Sequence, residues 1–453
     1  MTSTGDWIRT APAPWKRGRL KNLISSASNG TWGIDPKEDG SDIHCIRAAD
    51  FDRIKRRAKI DQAPLRSIDP SSLRHHRLHP GDLVLEKSGG GEKQPVGMAV
   101  LYEGPGQAVC SNFCARISPG RNVDSRFLTY VFAVAYSQGL TQSAIKQTTG
   151  IQNLDAGAFF SAPWAYPETE EQLRIADFLD AETARIDRVI GLRKLEEKAL
   201  AEKSYASVSE VLIPGSLTDP LGCWPWTWLP ATTNDRPFVR VGYVCRLQNG
   251  LTVDGKRDVS GDVVTRPYLR VANVQAGSVA LDTVTEITVP RHTADRSTLR
   301  SGDVLMTEGG DLDKLGRGTV WQGELANCLH QNHVFALRPE AERLDGSYLA
   351  LMTRTLHGRC YFESTGTKTT NLASTNSSKI LSFPIPLPAL SVQRDLSQQA
   401  QKVLDAVEVM SHHLNRQRDL LSERRQALIT AAVTGQFDVS TASGRNVTDG
   451  VHA

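Results

Sequence analysis

The chain repeats itself once, which restricts it to folds built from two similar units in tandem. IHCIRAADFD, read from Ile43, is answered by RPYLRVANVQ from Arg266. LHPGDLVLEKSGG from Leu78 is answered by LRSGDVLMTEGG from Leu299, and VCSNFCARISP from Val109 by LHQNHVFALRP from Leu329. Asn153-Leu154 recurs as Asn371-Leu372, and PWAYPETEEQ from Pro163 as PIPLPALSVQ from Pro384. All five pairs lie about 220 residues apart, a constant offset that one duplication produces and scattered similarity does not.

Each half has the same plan. Short β-branched or apolar runs (Val100-Leu101, Val304–Met306, His333–Leu337) alternate with turn dipeptides such as Asn29-Gly30, Pro80-Gly81 and Asn249-Gly250. Helices are predicted around Arg126–Thr141 and Gly346–His357, so each globular part is an α+β domain. A long helix follows each one. The first is predicted over Thr169–Leu212, after Pro167 and before Pro214-Gly215, with Ile175, Leu179, Ile186, Ile190, Leu195, Leu200, Val208, Val211 and Leu212 along it. The second is predicted over Ser391–Thr434, where Val403, Val407, Met410, Leu414, Leu421 and Leu428 alternate by four and three, and Gln417 and Arg424 fill the remaining seam positions. Each helix would run roughly 65 Å. Such a stripe is long for a domain of this size to cover, so the two helices are expected to pair as an antiparallel coiled-coil spacer about a pseudo-twofold axis. The alternative is that each packs on its own domain. The resulting division is a tail at 1–12, a globular domain at 13–168, a helix at 169–214, a second domain with its linker at 215–389, a helix at 390–435 and a tail at 436–453.

Two segments resemble a known family. EEQLRIADFLDAETARIDRVI (Glu170–Ile190), preceded by Pro163 and Pro167, resembles the central conserved region of type I restriction-modification specificity subunits, and SERRQALITAAVTGQFD (Ser422–Asp438) resembles the end of such chains. The paired GD(L/V)(V/L) strands and the two NL motifs look like its target-recognition domains. SVQRDLSQQAQKVLD departs from the fuller pattern at the start of the second helix. The resemblance implies a non-catalytic, sequence-specific DNA-binding subunit, each recognition domain reading one half of a split double-stranded target and the helices setting the unread gap. It further implies two methyltransferase (modification) subunits docked on the helices and motor-nuclease (restriction) subunits completing a cytoplasmic complex. Any S-adenosylmethionine, ATP and Mg would belong to those partners and none to this chain. Competing readings are a recognition subunit of a restriction-modification system outside type I, a coiled-coil scaffold that binds no DNA, and a self-sufficient enzyme.

Composition is compatible with these readings. A net charge of +3 on 453 residues permits nucleic-acid binding without demanding it, and the seven scattered cysteines do not read as a disulfide framework. No apolar run reaches membrane-spanning length, and Met1–Trp7 lacks the apolar core of a signal peptide.

Residues suited to phosphate or base contacts cluster in matching places. The first half offers Arg53, Lys55, Arg56 and Arg57, then Arg74, and then a glycine-bearing loop with Lys87, Ser88, Lys93 and Gln94. A polar stretch with Lys146, Thr148, Thr149 and Gln152 follows. The second half offers Lys256, Arg257, Arg266, Lys314 and Arg317, and a polar stretch with Thr367, Lys368, Thr369 and Asn371. Glu308 and Asp311 beside Gly309-Gly310 read as surface acids or acceptors for cytosine N4.

Catalytic signatures are missing. There is no N-P-P-(Y/F) or D-P-P-Y tetrapeptide, no G-x-S-x-G, and no phosphate loop, since GGGEKQPVG at 89–97 misplaces its lysine and lacks the Ser or Thr. Cys110 and Cys114 fall in a different half from Cys328, His330 and His333, and the two histidines, placed on one strand, would face opposite ways, so no zinc site is expected.

Overall fold

The computed structural model describes residues 6–91, 94–104, 107–148, 151–216, 236–252, 261–310, 315–368 and 373–441. Two compact units emerge, one formed by 1–192 with 417–453 and the other by 193–416. Each therefore takes in part of both long helices, which span Thr169–Leu212 and Leu390–Val433.

In the first unit a six-stranded sheet runs in the order Ile24–Asn29, Cys114–Pro119, Leu83–Glu86, Ala99–Leu101, Arg57–Ala58, Phe51–Asp52. Its central strand Leu83–Glu86 is buried at all four positions, as a strand covered on both faces must be. Leu83 and Leu85 enter the main core with the helix Ser125–Ser137, whereas Val84 joins a smaller core with Phe51, Tyr102 and Cys110, following the two-residue period of a strand. Ile175, Leu179 and Ile186 of the first long helix share the main core with Leu428, Ile429 and Val433 of the second. The helices run antiparallel there: Arg425 meets Asp187, and Phe437, just past the second helix, lies 5.5 Å from the Phe178 ring. The tail expected at 1–12 contains ordered structure from residue 6 onward. Asp6–Thr10 is a short helix, and Trp7 buries its ring 4.7 Å from Trp164.

In the second unit a four-stranded sheet runs in the order Cys245–Asn249, Val334–Pro339, Val304–Thr307, Gly318–Val320. The single helix predicted at 346–357 is two, Gly346–Met352 and Leu356–Thr365, because the Thr355 hydroxyl accepts from Gly358 N and caps a new helix. Val208 and Leu212 of the first long helix share a core with Leu396 and Ala400 of the second. The antiparallel course holds here too, with Asn415 Nδ2 donating to Glu197 Oε1 at 3.2 Å.

The joint between sheet domain and helix is built alike in both units. Gln172 Oε1 accepts from Asp124 N (3.0 Å) while its Nε2 donates to Pro167 O; Gln393 Oε1 accepts from Asp345 N (2.9 Å) while its Nε2 donates to Pro388 O. Asp124 and Asp345 each cap the helix that follows. Leu195, one of the apolar residues along the first helix, and Met410, a position of the second helix's four-three alternation, are 64% and 51% exposed. No helix among the described residues is long and apolar enough to cross a membrane.

Candidate nucleic-acid interface

The loop and the polar stretch singled out in the first half meet in space. Ile145–Thr148 and Ile151–Leu154 form an antiparallel hairpin, and its second strand pairs with Ser88–Gly89, placing Asn153 opposite Ser88 and Gln152 opposite Gly89. Ser88 Oγ donates to Asn153 Oδ1 at 2.7 Å. Lys87 Nζ donates to Asn29 Oδ1 (2.7 Å), and Asn29 O lies 2.7 Å from His76 Nδ1, which ties the helix Pro70–His76, carrying exposed Arg74, to the same neighbourhood. Lys146 is exposed and pairs with Asp155 at 2.6 Å. Of Thr148 only the backbone is described, and Lys93 and Thr149 lie outside the described residues.

Beside this sheet an open depression of about 780 Å³ is lined by Phe51, Arg53, Glu86, Gly90, Gly91 and Gln94, among others. Glu86 is nearly buried, and burial holds its carboxyl above the usual range against the pull of Arg53 at 3.3 Å. With its amide oxygen turned to Arg53, Gln94 accepts from the Arg53 Nε at 2.7 Å. Arg53 is thus held on two sides, and its guanidinium orientation is fixed rather than free. Phe51–Asp52 and Arg57–Ala58 pair as a second hairpin, on which Lys55 and Arg57 point outward, Arg57 paired with Glu103 at 2.5 Å.

Two of the predicted contacts are corrected. Arg56 is only 6% exposed and lies with its guanidinium 5.2 Å from the Tyr130 ring centroid, where burial lowers its pKa to about 10. Gln152 is 7% exposed and accepts from Val96 N at 3.2 Å. Both side chains face the interior, so neither is offered to a phosphate. An arginine within a basic run cannot be told from its outward neighbours by composition alone.

In the second unit Gly309–Gly310 pairs with Ala373–Ser374, which also pairs with Thr367–Lys368, again bringing a glycine loop onto a polar hairpin. Thr367 Oγ1 accepts from Lys379 Nζ at 3.1 Å, a lysine that sequence reasoning passed over. Arg266 sits half-buried on the strand Val263–Leu269 opposite Ile287, away from that hairpin in register. Arg317 donates to Tyr205 Oη of the first long helix at 3.1 Å, so it braces the helix. Of Lys368 only the backbone is described; Lys256, Arg257, Lys314, Thr369, Asn371 and Asp311 lie outside the described residues.

His330 and His333 do not share a strand. His330 ends Leu329–His330, fully buried with Nδ1 2.6 Å from Val334 O, and burial lowers its pKa; His333 lies beyond it, 2.5 Å from Glu308. Cys110, Cys114 and Cys328 are buried thiols, with Cys114 and Cys328 pushed up to about 12 and Cys110 also raised. Among the described residues no group of three or more His, Cys, Asp or Glu could hold a metal ion. The arrangement presents donors and amides on sheet edges and loops, suited to grip a polyanion.

No protein-family model matches the chain. It is 21% identical over 366 residues to the type I restriction enzyme EcoKI specificity subunit of Escherichia coli K12, covering 80% of this chain and 76% of that one. It is 22% identical over 193 residues to a Methanocaldococcus jannaschii protein that carries the name type I restriction enzyme MjaX specificity subunit, a match covering 42% of this chain and 44% of that relative's length. The fold matches a chain from a solved type I R-M system (TM-score 0.70, 18% identity, 94% of this chain and 99% of that one). It also matches the HsdS subunit of Thermoanaerobacter tengcongensis (TM-score 0.52, 18% identity, 94% and 98%). By sequence and by fold, then, the chain resembles a type I restriction-modification specificity subunit.

Proposed function

We propose that this chain is the DNA-recognition subunit of a type I restriction-modification complex, with no catalytic centre of its own. The observation that carries the reading is the recurrence, in each unit, of a glycine loop joined to a polar hairpin. The matched glutamine joints and the constant offset in sequence support descent of the two units from one duplicated ancestor. Residues 13–168 and 215–389 act as target-recognition domains, and 169–214 and 390–435 form the spacer. Each domain reads one half of a bipartite duplex target. The phosphate contacts come from Lys55, Arg57, Arg74, Lys87 and Lys146 in the first domain, with Arg53 and Ser88 at the depression and hairpin. In the second they come from the 367–371 stretch and the basic segments at 256–257 and 314.

Two methyltransferase subunits dock on the long helices, where exposed Leu195, Val409 and Met410 provide apolar surface in the second unit. Motor-nuclease subunits complete a cytoplasmic assembly, and S-adenosylmethionine, ATP and Mg act in those partners. Charge reversal on the exposed face around Arg185 to Arg193 is expected to weaken methyltransferase docking without unfolding the recognition domains. The deciding experiment maps adenine methylation across the source genome with and without this gene. Loss at one split, asymmetric motif is the expected result. If methylation is unchanged, and the purified complex binds DNA with no dependence on salt, the reading fails.

A further inference from the structure

The hairpin that carries Arg53, Lys55 and Arg57 is fastened from beneath. Its turn is closed by Asp52 Oδ1, which accepts from Ile54 N (3.1 Å) and Lys55 N (2.9 Å). Arg56 takes a left-handed backbone (φ 56°), so its side chain reverses out of the surface row and goes inward onto Tyr130. Tyr130 Oη in turn donates to Asp180 of the first long helix at 2.7 Å, and Asp180 is also held by Arg126 at 3.0 Å. A second fastening comes from the other long helix. Arg425 Nη2 donates to the Ile54 carbonyl at 2.8 Å, and the same guanidinium pairs with Asp187 of the first long helix, Nε to Oδ1 at 2.8 Å. Arg425 therefore touches three elements at once: the tip of the hairpin and both long helices.

The second unit fills the corresponding place by other means. Positions 277 and 408 lie 221 residues beyond 56 and 187. Gly277, also with positive φ (86°), has Arg354 Nη1 pressed against it, 2.8 Å from where a Cβ would stand. Arg354 lines a depression with Gly277, Ser278 and Gln401 of the second long helix, and burial lowers its pKa against the pull of Tyr205 and Glu408 on the two long helices. An arginine beside the positive-φ position and the long helices is thus present in both units, although it comes from the second long helix in one and from just past Gly346–Met352 in the other.

We propose that Arg425 is a positioning residue for DNA reading: it fixes the 52–57 hairpin against the helix pair, so that its outward cations meet the phosphates of one half-target. Arg425 itself touches no DNA. This rests on the recognition-subunit reading above.

The test uses the full chain assembled with its methyltransferase subunits on duplexes carrying the split motif. Affinity is measured over a salt series for wild type, Arg425→Gln, Arg425→Lys, Lys55→Ala/Arg57→Ala, and the triple variant. Losing two phosphate contacts lowers the steepness of log K against log salt by about 1.8. Arg425→Gln is expected to show a loss of that size, with interference footprints weakened over one half-site only. Arg425→Lys is expected to recover part of it, and adding Arg425→Gln to the double variant to cause little further change. Faster hydrogen exchange confined to the hairpin, with the Leu83–Glu86 strand still protected, is the accompanying sign that the unit stays folded. An undiminished salt slope in Arg425→Gln, or an equal further loss in the triple variant, overturns the proposal. Wild-type complex that fails to bind the duplex would instead overturn the recognition reading beneath it.

Discussion

Gly30 and Gly250 are where one methyl group matters most. Neither needs a positive φ; each is glycine because another stretch of backbone lies against it. A Cβ on Gly30 would stand 2.2 Å from Cys110 O, and one on Gly250 would stand 2.1 Å from Gln331 O. Those oxygens belong to the ends of neighbouring strands and cannot move aside without shifting the sheet. Gly30→Ala and Gly250→Ala should each destabilise their unit by about 1–3 kcal/mol, visible as a lower denaturation midpoint. Unchanged midpoints would mean that the strand ends yield freely. His357 offers a second case. It is buried, with Nε2 2.7 Å from Pro384 O and its ring 5.1 Å from Phe383, and burial lowers its pKa to about 4. An unfolded histidine titrates near 6.5, so below that pH the unfolded chain takes up a proton that the folded one refuses. Stability from this group is complete above pH 6.5 and drains away as pH falls towards 4, by roughly 3 kcal/mol at most. Urea denaturation between pH 7 and pH 4.5 should show this slope in the wild type and less of it in His357→Phe. Equal slopes would assign the pH dependence to other groups.

At the scale of elements, the two glutamine joints decide how firmly each sheet domain is seated on its helix. Gln172 is 2% exposed and Gln393 fully buried, so replacement by leucine takes a partner from the half-buried N–H of Asp124 or Asp345 and from the carbonyl of Pro167 or Pro388. Each change should cost about 1–3 kcal/mol. The two costs should add in the double variant, because the sites share no partners. Strong non-additivity, read from denaturation of the full chain, would reveal a coupling that the hydrogen bonds do not account for. The long helices were the most legible elements in the sequence. Thr169–Leu212 agrees with its expected limits and Leu390–Val433 lies one residue from them, because a proline precedes the first and Gly435 (φ 72°), pressed against Pro12, ends the second. What periodicity could not tell was which stripe positions are covered, hence the exposed Leu195 and Met410. The polar hairpin at 145–154 was legible only as composition. Its Lys, Gln and Thr residues carry no apolar alternation to announce a strand, and its pairing with Ser88–Gly89 joins segments more than 60 residues apart. The inward turn of Arg56 was hidden for a related reason: it follows from a backbone angle, which a basic run does not encode.

At the scale of the whole molecule, each long helix contributes one end to the first unit and the other end to the second. If the units are readers of a split target, the helix length between them is what the target's unread gap must match. Glu197 and Asn415 are facing positions, joined by a hydrogen bond, so a heptad removed around each (Arg193–Ala199 and Met410–Arg416) shortens both helices at the same level. Seven residues correspond to about 10 Å of helix, close to three base-pair steps of about 3.4 Å. Deleting a heptad turns the helix ends by only about 20° relative to each other, which keeps the apolar seam in phase. Three base pairs of duplex turn much further, so the shortened protein should methylate its new target less completely than the wild type methylates the old one. The expected genomic result is a motif with both half-sites unchanged and a gap shorter by about three base pairs. Removing a heptad from one helix alone should instead leave the packing of Ile175 and Leu179 with Ile429 and Val433 out of register with that of Val208 and Leu212 with Leu396 and Ala400, and cost folding rather than change the gap. Altered half-site bases at an unchanged gap would show that the helices do not set the spacing, and would return the question of how the gap is measured to the recognition domains themselves.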